Sequence, residues 1–187
     1  KLFQDEHKAR RPGEVAHADL CGPFPKGAAG ERYMLAFTDA CSGKMWVYPV
    51  KSKRQKDTTP ALKEWILELE AERAISKKDH KIQPLRILIT DRGGEFTHDI
   101  DKGQKTCRFS RTCRRNNIKQ KFTSSHTSKH NGRAERTNRT IAEGIRCALI
   151  DSRMRWTFWP DAARYAAFTR SMIGGGGKKS SFELHSG

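Results

Sequence analysis

Residues 15–23 read VAHADLCGP, a short apolar stretch that contains one carboxylate and closes on Gly22-Pro23. An apolar run followed by a glycine–proline pair predicts a β-strand that ends in a turn. The carboxylate, Asp19, is unusual there because aspartate is disfavoured inside strands. The stretch therefore predicts a strand that carries a polar group for a reason other than strand stability.

Two further strands follow directly. Arg32–Thr38 is almost continuously apolar, which is typical of a strand buried on both faces. Asp39–Gly43 supplies turn residues, and Lys44–Val50 then forms the second arm of a hairpin. Pro49 indicates that this arm lies at an edge of the sheet, because proline cannot donate a hydrogen bond to a neighbouring strand.

Strands and helices alternate in the rest of the chain. The pattern predicts a helix over Thr59–Ile75, a strand over Leu85–Thr90, a weak strand over Ile118–Phe122, and helices over Gly132–Asp151 and Trp156–Ile173. The polar and basic stretch between the last two strands, residues 99–115, predicts a loop with a short helix. A meander of three strands followed by alternating strands and helices predicts an α/β fold, a five-stranded mixed sheet flanked by helices.

The long helix over Gly132–Asp151 has a clear buried side. Ile141, Ile145 and Leu149 recur every four residues and form one apolar stripe. A polar loop, Thr123–Asn131, is expected to precede this helix. The stripe predicts that the helix packs on the sheet.

The chain divides into three parts by composition. Residues 1–13 are polar and basic and are expected to form an N-terminal arm. Residues 14–173 hold all the predicted elements and form the core domain. Residues 174–187 begin with four glycines and are expected to form a flexible C-terminal segment.

The charge points to a polyanionic partner. The chain has 37 Lys and Arg against 21 Asp and Glu, a formal net charge of +16. Nucleic acid is the first candidate for such a partner, and an acidic membrane surface is the alternative. No long basic amphipathic helix stands out, and no apolar run is long enough to cross a membrane, so we expect no membrane association.

The five cysteines do not form a disulfide pattern, because their number is odd and their spacing irregular. They are expected to be reduced, as in an intracellular protein, and mostly to fill the core. A zinc site made by Cys107, Cys113, His126 and His130 is the alternative, although the five residues between the two cysteines exceed the usual spacing.

Three carboxylates stand out by placement. Asp19 lies inside the first strand, Asp91 follows the strand Leu85–Thr90 directly, and Glu135 falls in the first turn of the long helix. Each also has a purely structural explanation. Asp19 could accept a hydrogen bond from His17 or a loop amide, Asp91 could be a turn residue, and Glu135 could complement the helix dipole. Taken singly, none indicates catalysis.

Five motifs in one order resemble a known family, the integrases of copia-type retrotransposons. The motifs are His17–Pro23 (HADLCGP), Phe37–Ser42 with Trp46–Lys53 (WVYPVKSK), Thr90–Phe96 (TDRGGEF), His130–Ile141 (HNGRAERTNRTI) and Lys178–Leu184 (KKSSFEL). The fourth is the most specific. The resemblance covers over nine-tenths of the chain.

The resemblance implies a ribonuclease H-like fold and the retroviral integrase superfamily's acidic triad, with Asp19, Asp91 and Glu135 as the catalytic residues. These three would hold two Mg²⁺ ions, for which Mn²⁺ can substitute. Asp19 would bridge both ions, Asp91 would bind one and Glu135 the other. The implied reaction is a polynucleotidyl transfer that joins the 3′ ends of element cDNA to target DNA. The resemblance also allows endonucleolytic trimming of those ends.

The basic residues around Glu135 are expected to contact DNA phosphates. The candidate DNA-binding residues are Lys129, His130, Asn131, Arg133, Arg136 and Arg139.

The sequence departs from the family pattern in two places. The family usually has glutamine where His130 stands, and 43 residues separate Asp91 from Glu135, a longer gap than in many retroviral relatives. The family's zinc-binding module would precede Lys1.

Two other functions remain open. A ribonuclease H-like nuclease would share the fold but usually brings a fourth carboxylate, and none with suitable context follows Glu135. A catalytically inactive, DNA-binding relic of a mobile element would keep the positive charge and bind DNA without catalysing a reaction.

The resemblance further implies element and target DNA as partners, a homo-oligomer, and an intracellular location with entry into the nucleus at integration.

Overall fold

A computed structural model describes residues 9–75, 82–97, 107–123, 128–173 and 179–186, and for residues 128–135 it describes the backbone alone. None of the helices within these ranges combines the length and the apolarity needed to span a membrane.

Five strands form one mixed sheet. They are β1 (Val15–Cys21), β2 (Tyr33–Asp39), β3 (Met45–Val50), β4 (Ile87–Thr90) and β5 (Lys119–Phe122), in the spatial order β3-β2-β1-β4-β5. β1, β2 and β3 pair antiparallel, whereas β1–β4 and β4–β5 pair parallel. The predicted five-stranded mixed sheet is confirmed, and β3 with Pro49 lies at its edge, as the proline indicated.

Within the described ranges, six α-helices flank the sheet. They are α1 (Gln55–Ile75), α2 (Gly94–Thr97), α3 (Arg108–Arg115), α4 (Ser128–Asp151), α5 (Trp159–Met172) and α6 (Ser181–Ser186), and a 3-10 turn, Trp156–Phe158, precedes α5. The short helix expected within residues 99–115 is α3, while residues 98–106 lie outside the described ranges.

Two helices begin four residues before the predicted position. The predicted start of α1 at Thr59 is wrong, because the carbonyl of Arg54 already accepts hydrogen bonds from the N–H groups of Asp57 and Thr58, at 2.9 and 3.1 Å. Pro60 therefore lies inside the helix. The predicted start of α4 at Gly132 is also wrong, since the helix begins at Ser128 and includes the end of the expected loop. A single glycine lowers helix stability but does not end a helix that packs elsewhere.

Both faces of the sheet are buried. On one face, Leu35 and Phe37 of β2 pack with residues of α1 and α3, and the ring of Phe37 stacks on that of Trp65 with centroids 3.9 Å apart. On the other face, Met34 and Ala36 pack with residues of α4 and α5. Because the side chains of β2 alternate between two buried faces, the strand is apolar at almost every position.

The apolar stripe of α4 is buried as predicted. Ile141, Ile145 and Leu149 are 1%, 1% and 5% exposed and belong to the cluster between the sheet, α4 and α5. Gly144 lies against α5, where an added Cβ would come within 2.7 Å of the Cβ of Ala166. Tight packing on two sides therefore fixes α4 over the sheet.

The expectation of a flexible segment over residues 174–187 is wrong for residues 179–186. Residues 181–186 form α6, and the His185 side chain is fully buried. Its ring packs edge-on against Trp46, with centroids 5.2 Å apart. Residues 174–178 and 187 lie outside the described ranges. The glycine-rich composition suggested flexibility, but the segment that follows packs on the core with Ser180 and His185 buried.

A polar network holds α6 on the core. The Nζ of Lys44 lies 2.7 Å from Glu72 Oε1, and the Nε2 of His185 lies 3.4 Å from Glu72 Oε2. His185 Nδ1 also lies 3.4 Å from the hydroxyl oxygen of Ser42. Burial acts to raise the pKa of Glu72, but the contacts and charges of His185 and Lys44 outweigh it and lower this pKa below its ordinary value of 4.5.

Truncation of Ile145 to alanine is expected to lower the free energy of unfolding by about 2–5 kcal/mol, because it leaves a cavity between α4 and the sheet. The matched control is Ile150→Ala in the same helix, where the side chain is 77% exposed and the expected cost is below about 0.5 kcal/mol. Urea unfolding of both variants measures the difference. Equal costs would contradict the packing of α4 described above.

Glu72→Gln is expected to flatten the acid dependence of stability. The pKa of Glu72 is lower in the folded state, so its contribution is complete above the ordinary value of 4.5 and disappears as the pH falls through the folded value. The wild-type protein should therefore lose more stability than the variant between about pH 5 and about pH 3. Urea midpoints across this range measure it, with the neighbouring Glu70→Gln as control, which should follow the wild type.

A carboxylate cluster at the ends of two parallel strands

The sheet register brings Asp19 and Asp91 together. β1 and β4 pair in parallel through Val15–Ile87, Ala16–Leu88 and His17–Ile89. Continuing this register by two residues places Asp19 opposite Asp91. In-register residues of adjacent parallel strands point to the same face, and the strands are about 4.8 Å apart. The register therefore brings two of the three predicted carboxylates to neighbouring positions, Asp19 inside β1 and Asp91 directly after β4.

The turn after β4 holds a further acid next to Asp91. The Oδ1 of Asp91 accepts a hydrogen bond from the N–H of Gly93 at 2.9 Å. An added Cβ at Gly93 would come within 2.9 Å of Asp91 Oδ1 and 2.8 Å of Glu95 Oε2. The carboxylates of Asp91 and Glu95 thus lie on the same side of the turn, and glycine at 93 leaves them the space.

Glu95 experiences the field of both aspartates. Burial raises its pKa, and the negative charges of Asp91 and Asp19 raise it further, against the opposing effects of a backbone N–H and Lys53. The sequence places Glu95 close enough to Asp91 to tune the site, although the family resemblance does not make it a ligand. The structure adds that the turn between the two residues brings their carboxylates to one side.

Helix α4 contacts the cluster through Asn138. The amide Nδ2 of Asn138 donates a hydrogen bond to Asp19 Oδ2 at 2.6 Å, and the N–H of Leu20 donates to Asp19 Oδ1 at 2.9 Å. Glu135 precedes Asn138 by three residues, so the two positions share one helix face. The side chain of Glu135 lies outside the described part of the chain. Its backbone position is nevertheless on the face of α4 that meets Asp19.

The structural explanation of Glu135 by the helix dipole loses its basis. We expected Glu135 in the first turn, but α4 begins at Ser128, so Glu135 is the eighth residue of the helix. The dipole acts on side chains within about the first turn. An acid two turns into the helix, on the face that contacts Asp19, therefore needs another reason.

The donor set suits Mg²⁺. Among the side chains that the structure describes, no group of three His, Cys, Asp or Glu residues forms a metal-binding arrangement, and Glu135 lies outside that set. Mg²⁺ binds hard oxygen ligands such as carboxylates. Burial and the negative charges of Asp91 and Asp19 raise the pKa of Glu95, and a cation beside these carboxylates would offset their repulsion. The residues present fit the ion.

The candidate DNA-binding residues fall into two groups. Lys129, His130, Asn131 and Arg133 lie in the first turns of α4, and their side chains are outside the described part. Arg136 and Arg139 are exposed. Arg136 lines a cavity of about 510 Å³ with Thr38, Arg170 and Ser181, among others. DNA contact by these six residues stays a prediction.

The expectation that the cysteines mostly fill the core is wrong, because Cys41 and Cys147 are exposed and Cys21 is half-buried. Cys107 and Cys113 are buried, and burial together with the neighbouring Cys107 raises the pKa of the Cys113 thiol to about 12. The Sγ of Cys107 donates to the Phe96 carbonyl and accepts from the N–H of Ser110, so it caps α3. His126 and the side chain of His130 lie outside the described residues, so the alternative of a zinc site is not tested.

Comparison with known proteins shows the family to which this fold and this cluster belong. The sequence pattern of the family described as "Integrase core domain" matches residues 9–128, and the chain belongs to this family.

Its curated relatives are copia-type retrotransposon polyproteins. The chain is 31% identical to the retrovirus-related Pol polyprotein from transposon TNT 1-94 of Nicotiana tabacum, over 83% of the chain and 10% of that protein. It is 26% identical to the truncated transposon Ty1-A Gag-Pol polyprotein of Saccharomyces cerevisiae, over 94% of the chain and 14% of that protein. The chain thus spans about a tenth of the length of such relatives. The resemblance found in the motifs is confirmed.

Solved structures show the same fold. The HTLV-2 integrase catalytic core domain in complex with magnesium superimposes with a TM-score of 0.67 and 18% identity, over 95% of this chain and 99% of that chain. The catalytic core domain of BIV integrase superimposes with a TM-score of 0.65 and 12% identity, over 92% and 93% of the two chains. The predicted ribonuclease H-like fold is confirmed.

A double-mutant cycle tests the contact that joins α4 to the cluster. Asp19→Ala, Asn138→Ala and the double variant should show a coupling energy of about 1.5–3 kcal/mol, the usual value of a hydrogen bond to a charged group. Urea unfolding of the four proteins at neutral pH gives this energy. A coupling near zero would mean that α4 does not meet β1 at Asp19.

Proposed function

We propose that this chain is the catalytic core of a retrotransposon integrase that joins the 3′ ends of element cDNA to target DNA by Mg²⁺-dependent phosphodiester transfer. The observation that carries the proposal is the register of β1 and β4. Extended by two residues, this register supports a site in which Asp19 faces Asp91, and the hydrogen bond from Asn138 to Asp19 supports a role for Glu135 on the same face of α4.

Each residue has a distinct part in this reaction. Asp19 neighbours both β4 and α4, so Asp19, Asp91 and Glu135 would together hold the metal ions, with Asp19 as the ligand shared by both. Asn138 holds one oxygen of Asp19 by its amide and fixes the orientation of that carboxylate. When bound, two Mg²⁺ ions activate the attacking oxygen and neutralise charge on the leaving oxygen.

The nucleophile comes from the substrates. Water or a 3′-hydroxyl of DNA attacks the phosphorus in line with the leaving oxygen, so no covalent intermediate with a side chain forms. The protein has to align the reactants and to place negative charge where cations are needed. Trimming of the element's 3′ ends by water would use the same residues.

Glu95 favours one alternative, a ribonuclease H-like nuclease. Such nucleases usually bring a fourth carboxylate, and Glu95 lies beside Asp91. A nuclease would release fragments but no joined product, so the products of one assay separate the two activities. An inactive relic would bind DNA and yield neither product.

The partners follow from the reaction. The positive net charge suits two DNA substrates, the element ends and the target duplex. The relatives known as structures include dimeric and trimeric forms of the HTLV-2 core and an intasome of simian T-cell lymphotropic virus, which supports a homo-oligomer here. The protein acts inside the cell, in the nucleus at integration, and without a membrane.

Glu135→Gln and Asp91→Asn test the mechanism. Each keeps the size of the side chain and removes one charge, so each should lower Mg²⁺-dependent joining by about 10²-fold or more through loss of charge stabilisation. DNA affinity should stay close to that of the wild type. The assay joins a labelled element-end duplex to a target duplex and is run in the multimodule protein if the core alone is inactive.

Glu143→Gln is the matched control for Glu135→Gln. Glu143 lies eight residues further along α4 and is exposed, and its replacement removes the same charge. It should leave joining within about twofold, because surface charges away from a site have small effects. Near-normal joining by Glu135→Gln would remove Glu135 from the site and overturn the three-carboxylate mechanism.

A further inference from the structure

A basic groove begins beside the carboxylate cluster and runs along the face of the molecule formed by α1 and α3. Two cavities of about 660 and 280 Å³ lie next to one another and share Gln55, Lys56 and Arg108 as lining residues. The larger cavity is also lined by Gly94 and Glu95, which follow Asp91. We call the joined cavities the cationic groove. Its basic lining residues are Lys53, Arg54, Lys56, Lys63, Arg108, Arg111 and Arg115.

The charges of the groove are largely uncompensated. Within the described part of the chain, no carboxylate forms an ion pair with Lys53, Arg54, Lys56, Lys63, Arg108 or Arg115. Glu95, at the end next to Asp91, is the sole acid among the described lining residues. Placing so many like charges in one concave surface costs free energy through repulsion. An anionic ligand in the groove would recover that free energy.

Helix α3 is built to present one basic face. Arg108, Arg111 and Arg115 follow the spacing i, i+3 and i+7, which puts three guanidinium groups on one side of the helix. The opposite side is buried through Phe109 and Cys113. The rise from Arg108 to Arg115 is roughly 10 Å, which corresponds to about three phosphates of one DNA strand. The spacing suits successive phosphates.

The amino ends of α1 and α3 meet in the groove. The Oε1 of Gln55, the first residue of α1, accepts a hydrogen bond at 2.8 Å from the N–H of Arg108, the first residue of α3. Gln55 is 9% exposed, and its Nε2 has no hydrogen-bond partner in the described part of the chain. Two helix amino ends carry partial positive charge. The buried Nε2 of Gln55, which has no acceptor among the described residues, lies at their junction and also indicates that an anion binds there.

We propose that the cationic groove binds the phosphodiester backbone of duplex DNA that extends away from the carboxylate cluster, as a site separate from the basic residues of α4. The choice of DNA over another polyanion rests on the proposed function, because the groove opens at Glu95, beside the place where the reacting phosphate would lie. The lining offers cations and N–H donors, so it contacts phosphates and does not select a base sequence.

The test removes the three arginines of α3. Arg108→Gln, Arg111→Gln and Arg115→Gln are combined in one variant. The control combines Arg146→Gln, Arg155→Gln and Arg164→Gln, which removes the same number of positive charges. These three residues are exposed and lie in α4, in the segment after it and in α5, across the sheet from α3. Fluorescence anisotropy measures the affinity for an element-end duplex and for an unrelated duplex across a range of salt concentrations. Circular dichroism verifies that both variants are folded.

The groove variant should give a plot of log affinity against log salt that is less steep by about 3, since each lost phosphate contact reduces the slope by about 1. The loss should be equal for the two duplexes. The control variant should keep the wild-type slope. An unchanged slope in the groove variant, an equal change in the control, or a loss confined to the element-end duplex would each overturn the proposal.

These outcomes are independent of catalysis. If the wild-type protein joins no DNA, the proposed function fails, but the salt dependence still decides whether the groove binds the backbone. If joining proceeds and the groove variant binds like the wild type, the groove proposal alone fails.

Discussion

The parallel pairing of β1 with β4 is the constraint on which the rest of this molecule depends. Once Val15 is paired with Ile87, the constant register decides that Asp19 and Asp91 emerge at adjacent positions. Neighbouring carboxylates repel each other, and burial together with the charges of Asp91 and Asp19 raises the pKa of Glu95. A cation between these carboxylates would offset the repulsion.

In the proposed site, helix α4 contributes from a position that is fixed independently of the carboxylates. Ile141, Ile145 and Leu149 anchor it on the sheet, and the close approach of Gly144 to Ala166 fixes it against α5. The amide of Asn138 then reaches Asp19 from a rigid support. Catalytic groups held on packed elements keep their geometry better than groups on loops, and alignment within fractions of an ångström is what a phosphodiester transfer requires.

Much of the fold could be predicted from the sequence, because the strands and the long helix have strong apolar patterns. β1 was predicted with its observed bounds, and the edge position of β3 followed from Pro49. The first residues of the helices were harder to predict. Backbone hydrogen bonds at Arg54 start α1 before Thr59, and α4 starts before Gly132 and continues through it. The docking of α6 depends on contacts of His185 with Ser42, Trp46 and Glu72, which are distant in the sequence, so no local pattern reveals it.

The candidate site, like the fold, could be predicted from the sequence only in part. The two aspartates could be identified because each stands out against an apolar strand, and Glu95 because it follows Asp91 by four residues, whereas the contact of Asn138 with Asp19 depends on how α4 packs on the sheet. The central claim is that Asp19, Asp91 and Glu135 bind metal together. A crystal of this chain soaked in Mn²⁺ and measured at the manganese absorption edge tests it most directly. The account predicts anomalous density between the carboxylates of Asp19 and Asp91, with Glu135 as a ligand. Strong manganese density elsewhere with none at these carboxylates, or a Glu135 side chain directed away from them, would contradict it.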